Sequence, residues 1–175
     1  MVTATTAELL ERSLAGDRLA FERLFRPLYD DGFRLAAAML SDSSLAEDAV
    51  QEALLKAWRK LHTFREGSNV RPWFLTIVAN QCRSLRRGRW WSVSRVADVE
   101  IAMADPAAAD RLDLEAALRR LPQRVRLPLV LRYYMDMSFE EIADVIGGSP
   151  AAAKSSTHRA LVRLRHECGQ GVGDS

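Results

Sequence analysis

Three times the chain repeats one local signal for starting a helix. Thr5 precedes Glu8, Ser44 precedes Glu47, and Ser138 precedes Glu141, each a hydroxyl three residues ahead of a carboxylate. In such a box the hydroxyl accepts a backbone N–H from the first turn, and the carboxylate accepts the N–H of the capping residue. Apolar residues at the helical period follow each box, without the alternation that marks strands. Six prolines and nine glycines in 175 residues leave these runs largely uninterrupted. The expected fold class is therefore all-α. The hydrophobic share of 48% supports a real core, and the length suits one medium domain or two small ones.

In chain order, the first helix should end at Ala15-Gly16, and Asp17 should cap the second. Leu19, Ala20, Leu24 and Leu28 form its expected stripe, with Phe21 and Phe25 beside it. Pro27 should kink or break it. Ser41 to Ser44 read as a turn. The helix after Ser44 carries Leu45, Ala49, Val50, Ala53, Leu54, Ala57, Trp58 and Leu61 on one side, with Asp48, Gln51, Glu52, Lys56 and Arg59 opposite. Its early acids suit the helix macrodipole, a reading that needs no partner. They equally suit a docking face.

Phe64 to Val70 is a loop by turn chemistry, and Arg71-Pro72 opens the next helix. Trp73, Phe74, Ile77, Val78 and Leu85 make its apolar stripe. Thr76, Asn80, Arg83 and Arg87 fall in line on another side, and no acid occurs from Arg71 to Arg95. An amide and arginines aligned on a helix suit base and phosphate contact. From Gly88 to Pro106 the periodicity dissolves into a linker. Trp90 and Trp91 there could stack on bases, plug a partner's groove or fold back on either domain.

Helix resumes from Asp110 to Arg120 and stops at Leu121-Pro122. Gln123 to Met135 is expected as a further helix with Val125, Leu129, Val130, Leu131 and Tyr133 inward, although Pro128 sits awkwardly inside it. Phe139 to Ile146 makes a short helix, Gly147-Gly148 a turn, and Ser149-Pro150 the start of a last helix reaching about Glu167. Ala153, Thr157, Ala160 or Leu161, and Leu164 should face inward. Lys154, Ser155, His158, Arg159 and Arg163 should face out. A short helix, a glycine turn and a basic second helix form a helix-turn-helix pattern. The tail from Gly169 is too polar and glycine-rich to fold.

Cys82 and Cys168 are far apart and lack metal-ligand spacing, so free thiols in a reducing cytoplasm are expected. His62, His158 and His166 have no partners at useful spacing, and no phosphate-cradling glycine loop occurs. Neither a signal peptide nor an apolar run of spanning length is present. No catalytic constellation, cofactor or metal site is expected, and the chain does not read as an enzyme.

Taken together, these residues resemble a bacterial RNA polymerase sigma factor of the extracytoplasmic-function group. The resemblance covers about residues 7 to 167. It rests on Ala46-Glu-Asp-Ala-Val-Gln-Glu52 with Ala57-Trp58-Arg59, on Arg71-Pro-Trp-Phe-Leu-Thr-Ile-Val-Ala-Asn80, and on Phe139-Glu-Glu-Ile-Ala143 through Lys154-Ser155 and His158-Arg159-Ala160. It implies two small helical domains, sigma region 2 over 1–88 and sigma region 4 over 110–168. A flexible linker at 89–109 would join them, and 169–175 would form a tail.

By the same resemblance, Asp48, Gln51, Glu52 and Leu55 contact the clamp helices of the polymerase largest subunit. Phe64, Arg65, Ser68, Asn69, Arg71, Thr76, Asn80, Arg83, Arg86 and Arg87 recognise and melt the −10 element. Lys154, Ser155, His158, Arg159 and Arg163 read the −35 major groove. Core RNA polymerase, including the flap of its second subunit, and promoter DNA are the implied partners. An anti-sigma protein is a further one, and no membrane is involved. Ala152-Ala153 and Ser156-Thr157 depart from the family pattern. Ser156 removes a phosphate-binding charge. Thr157 puts a hydroxyl on the inward stripe, which predicts a less stable −35 domain or an altered reading. Glu66 adds an acid to the base-capture loop. The rival readings are a free-standing helix-turn-helix regulator and a helical adaptor that binds only proteins.

Overall fold

The computed structural model describes residues 5–65, 67–90, 114 and 116–170, with backbone alone at 87–90, 169 and 170. The chain forms two compact units, Met1–Arg86 and Arg87–Ser175. No strand occurs among the described residues.

In the first unit, α1 spans Thr6–Leu14, α2 Arg18–Leu40, α3 Ser43–Lys60 and α4 Val70–Trp90, with a 3-10 turn at Leu61–Thr63. The Thr5/Glu8 box forms as expected. Gly16 follows α1 at φ 92°, a region glycine enters without a Cβ penalty. Asp17 caps α2 by accepting the Ala20 N–H at 3.1 Å. It also accepts the Arg12 guanidinium at 2.6 Å.

Several expectations are corrected here. Pro27 does not break α2, which runs unbroken for 23 residues. Its site is exposed, so water can take the carbonyl that the missing N–H leaves behind. Leu19 is exposed rather than part of the stripe. The cap of α3 is Asp42, which accepts the Leu45 N–H at 3.0 Å, so Ser44 lies inside the helix. Val70 belongs to α4 rather than to the loop, and α4 continues past Gly88 to Trp90.

The core of this unit is aromatic on α2 and small on α3. Phe21 and Phe25 stack at 4.2 Å, and Phe25 meets Phe74 edge-on at 5.3 Å. Trp58 closes on Phe21, and Trp73 on both Phe25 and Phe64. Ala46, Ala49, Ala53 and Ala57 give α3 a buried face of small side chains, and helices approach as closely as such contact residues allow. Gly32 lies at a close approach between α2 and α4. A Cβ there would lie 3.0 Å from Phe74 Cε1 and 3.4 Å from Val50 Cγ1.

In the second unit, residues 116–120 are helical. They are followed by α5 at Gln123–Leu129, a π turn at Val130–Tyr134, α6 at Phe139–Ile146 and α7 at Pro150–Gln170. The helix expected over Gln123–Met135 is therefore split. Pro128 has no N–H to donate one turn back. Two residues later the ladder widens, and Met135 N–H donates to the Val130 carbonyl at 3.0 Å, a π-type bond. Tyr133, expected inward, is 63% exposed as a result of the changed phase. Buried Arg126 donates to the Arg119 and Leu121 carbonyls at 2.6 and 3.2 Å, satisfying orphan acceptors after the 116–120 turn. Ala117, Leu121, Leu129, Ala160 and Leu164 form a core cluster between this turn, α5 and α7.

The Ser138/Glu141 box caps α6. Arg132 braces the approach, donating to the Met137 carbonyl at 2.8 Å with its guanidinium 5.0 Å from the Phe139 ring centroid. Gly147 and Gly148 turn the chain at φ 81° and 116°. Ser149 then accepts the Ala152 N–H at 3.2 Å to start α7, which extends beyond the expected Glu167 and into the segment read as tail. The linker expected over 89–109 lies outside the described residues from Trp91 onward.

Candidate docking and nucleic-acid interfaces

On α3, Asp48, Gln51, Glu52 and Leu55 stand at i, i+3, i+4 and i+7, which places them on one face. Asp48 and Gln51 are exposed and Glu52 is half-exposed. Leu55 is 52% exposed among these charges. Because α3 begins at Ser43, its first turn contains no acid. A macrodipole effect fades within that turn, so it accounts poorly for Asp48 and Glu52. A face with exposed acids around an exposed leucine suits a protein partner that brings cations around an apolar contact.

Lys56 approaches Glu52 Oε1 at 3.8 Å and donates through Nζ to the Gln81 side-chain oxygen on α4. The side chain of Gln81 is buried.

The loop before α4 is anchored at both ends. Phe64 is buried and meets Trp73 edge-on at 5.4 Å. Asn69 Oδ1 accepts the Arg71 N–H at 3.0 Å. Arg71 Nε donates to Asp31 Oδ2 on α2 at 2.6 Å. Between these anchors Arg65, Ser68 and Asn69 are exposed, and the Ser68 N–H bonds the Arg65 carbonyl at 3.1 Å. Phe64 and Arg71, which the resemblance groups with DNA-facing residues, both make these contacts within the protein. Thr76 is half-buried and donates to the Pro72 carbonyl at 2.8 Å. Asp31 was not foreseen at all. It lies forty residues before Arg71, and no local pattern links the two.

Farther along α4, Asn80 and Arg86 are exposed and Arg83 is half-buried. Arg83 Nη1 donates to Asn80 Oδ1 at 2.8 Å, which leaves the Asn80 amide nitrogen as a donor for a base edge. Arg87 lies on the same helix, outside the described side chains.

On α7, Lys154, Ser155, His158, Arg159 and Arg163 are all exposed. Ala153, Thr157, Ala160 and Leu164 are buried on the other side. The Thr157 hydroxyl donates to the Ala153 carbonyl at 2.9 Å. Its burial therefore leaves no unmet polar group, which removes the reason for expecting a weaker domain.

Cys82 and Cys168 are free. Burial pushes the Cys82 thiol up to about 12, so it is not a nucleophile at neutral pH. Among the described residues, no group of His, Cys, Asp and Glu could hold a metal ion. None of the described helices is long and apolar enough to cross a membrane.

Comparison with known proteins agrees with this layout. Residues 24–92 match the model of sigma-70 region 2, and residues 111–164 that of sigma-70 region 4. The chain is 34% identical over 162 residues to the ECF RNA polymerase sigma factor SigM of Mycobacterium tuberculosis, covering 91% of this chain and 83% of that one. It is likewise 34% identical over 167 residues to the RNA polymerase sigma factor CarQ of Myxococcus xanthus, covering 92% and 96%. Among solved structures it is similar to the sigma factor RpoE of Bartonella quintana, in complex with the anti-sigma factor NepR. That match has a TM-score of 0.71 and 29% identity, and covers 89% of this chain and 98% of that one.

Proposed function

The chain belongs to the extracytoplasmic-function sigma factors of the sigma-70 family, proteins that direct RNA polymerase to promoters without catalysing a reaction, and from that premise we propose how its residues divide the work. Asp48, Gln51, Glu52 and Leu55 dock on the clamp helices of core polymerase. Arg65, Ser68 and Asn69 cradle an extruded −10 base. Asn80 reads it, and Arg83, Arg86 and Arg87 hold the backbone. Phe64, Arg71 and Thr76 build the frame of that pocket. Lys154, Ser155, His158, Arg159 and Arg163 enter the −35 major groove. Residues 1–88 and 110–168 act as the two modules, joined through 89–109, with 169–175 as a tail.

The observation that carries this reading is the single exposed face of Asp48, Gln51, Glu52 and Leu55, set beyond the reach of the helix dipole. Unstacking a base costs a few kcal/mol, which a preformed loop helps to offset. A basic helix alone holds DNA weakly, with nonspecific Kd on the order of 10⁻⁴ to 10⁻⁶ M. Tethering two weak modules to one large enzyme raises their effective concentration at the promoter. Activity in the cytoplasm follows from the location of polymerase. The complexed state of the similar RpoE supports an anti-sigma protein as a further partner.

Gel filtration with core polymerase tests the reading. The chain should co-elute, and tight promoter binding should require the complex. Strong sequence-specific binding by the isolated chain would favour a free-standing regulator. Replacing Asp48 and Glu52 with alanine should weaken polymerase binding while leaving the helical signal intact. Asn80→Ala should lower promoter opening more than initial duplex binding, and equal losses would count against a melting role.

A further inference from the structure

The contact between Lys56 and Gln81 has no part in the division of labour above. Gln81 is 8% exposed and sits directly after Asn80 on α4. Its amide oxygen needs a partner, and that partner comes from α3, 25 residues earlier in the chain. The same ammonium group lies 3.8 Å from Glu52, one of the docking carboxylates. Lys56 therefore stands between the face that meets polymerase and the helix that meets DNA.

We propose that Lys56 is a positioning residue that couples polymerase engagement at Glu52 to the setting of α4 through the Gln81 side chain. The inference rests on the assignment of α3 as the docking helix. In the free chain the ammonium donates to the Gln81 oxygen while the Glu52 carboxylate, 3.8 Å away, draws on the same charge. A cation on the polymerase surface that takes the Glu52 carboxylate removes part of this competition. The Lys56 donors then concentrate on Gln81 and hold α4 at one rotation about its axis, with Asn80 toward the DNA. A lysine suits this role, since its rotatable donors sit on a flexible stem.

The test uses reconstituted holoenzyme on a promoter, with core affinity, closed-complex affinity and opening rate measured separately. Lys56→Met keeps the apolar stem and removes the charge and donors. It should leave core affinity within about twofold, lower the melting temperature by a few degrees because the buried Gln81 oxygen loses its donor, and slow opening about tenfold, the effect of losing one charge-assisted hydrogen bond. Gln81→Met should slow opening similarly. The double variant should be no slower than either single one, the signature of residues acting through one shared contact. Lys56→Arg should recover most of the rate. Wild-type opening by Lys56→Met overturns the proposal, as do losses that multiply in the double variant. Should Lys56→Met fail to fold, Gln81→Met decides alone, and a wild-type opening rate there overturns it. A wild-type chain that ignores core polymerase would instead remove the docking assignment, and this inference with it.

Discussion

The first unit ties its candidate surfaces with polar contacts from residues distant in sequence, whereas the polar contacts described in the second come from near neighbours. Asp31 steadies Arg71 from α2, and Lys56 reaches Gln81 from α3. The ring cluster draws on α2, α3, the loop at Phe64 and α4. In the second unit the polar contacts described span three to seven residues, while its apolar cluster joins Ala117, Leu121 and Leu129 to Ala160 and Leu164. The polar contacts are Ser138 with Glu141, Ser149 with Ala152, Thr157 with Ala153, Arg132 with Met137, and Arg126 with Arg119 and Leu121. The difference fits two tasks. Under the proposed roles, a pocket that opens DNA needs several elements held at set positions, while a reading helix needs one stiff rod with a clean start. Damage should therefore spread in the first unit and stay local in the second.

The strongest challenge to that contrast is Phe74→Ala. Deleting a fully buried ring at the meeting of α2 and α4 should cost the first unit about 3–5 kcal/mol. Urea titration followed by tryptophan fluorescence reads this directly, since Trp58 and Trp73 belong to that cluster. Hydrogen-exchange protection in α6 and α7 should not change, and a fall there would break the contrast.

Asp31→Asn comes next. The Arg71 ion pair is about three-quarters buried, with side chains 25% and 22% exposed. Its loss should cost about 1–2 kcal/mol, between the values for exposed and buried pairs. It should also speed amide exchange in the loop before α4. Ser138→Ala should cost about 1 kcal/mol and raise exchange only at the start of α6.

The smallest effect concerns pH. The Ala20 N–H, and then Arg12, hold the Asp17 carboxyl below its ordinary value of 3.8. A depressed folded-state value contributes stability above 3.8 that disappears as pH falls through the folded value. The junction of α1 and α2 should loosen only below that pH, as followed by exchange or NMR shifts at Ala20, and Asp17→Ala should abolish the transition.

The same contrast explains what was legible from the sequence. The boxes at Thr5 and Ser138, the caps at Asp17 and Ser149, and the Gly147-Gly148 turn could be read because each is complete within a few residues. Ser44 misled because Asp42, two residues earlier, offered a carboxylate to the same stretch of backbone. Tyr133 misled because Pro128 shifts the helical phase, and periodicity assumes an unbroken ladder. On the candidate site, the exposed faces of α3 and α7 followed from helical spacing. The inward turn of Phe64 and the ties from Asp31 and Lys56 depend on tertiary neighbours that no local pattern reveals.

The approach of Gly32 to Phe74 limits how this protein can be altered. A methyl group at position 32 would press on a ring that is itself fully buried, which would have to give by a few tenths of an ångström. In a mutational library, replacements of Gly32 should survive mainly beside a smaller residue at 74. Even then the rescued chains would give up the ring that packs α4 against α2. Drift at this crossing is thus resisted at a single hydrogen atom of Gly32.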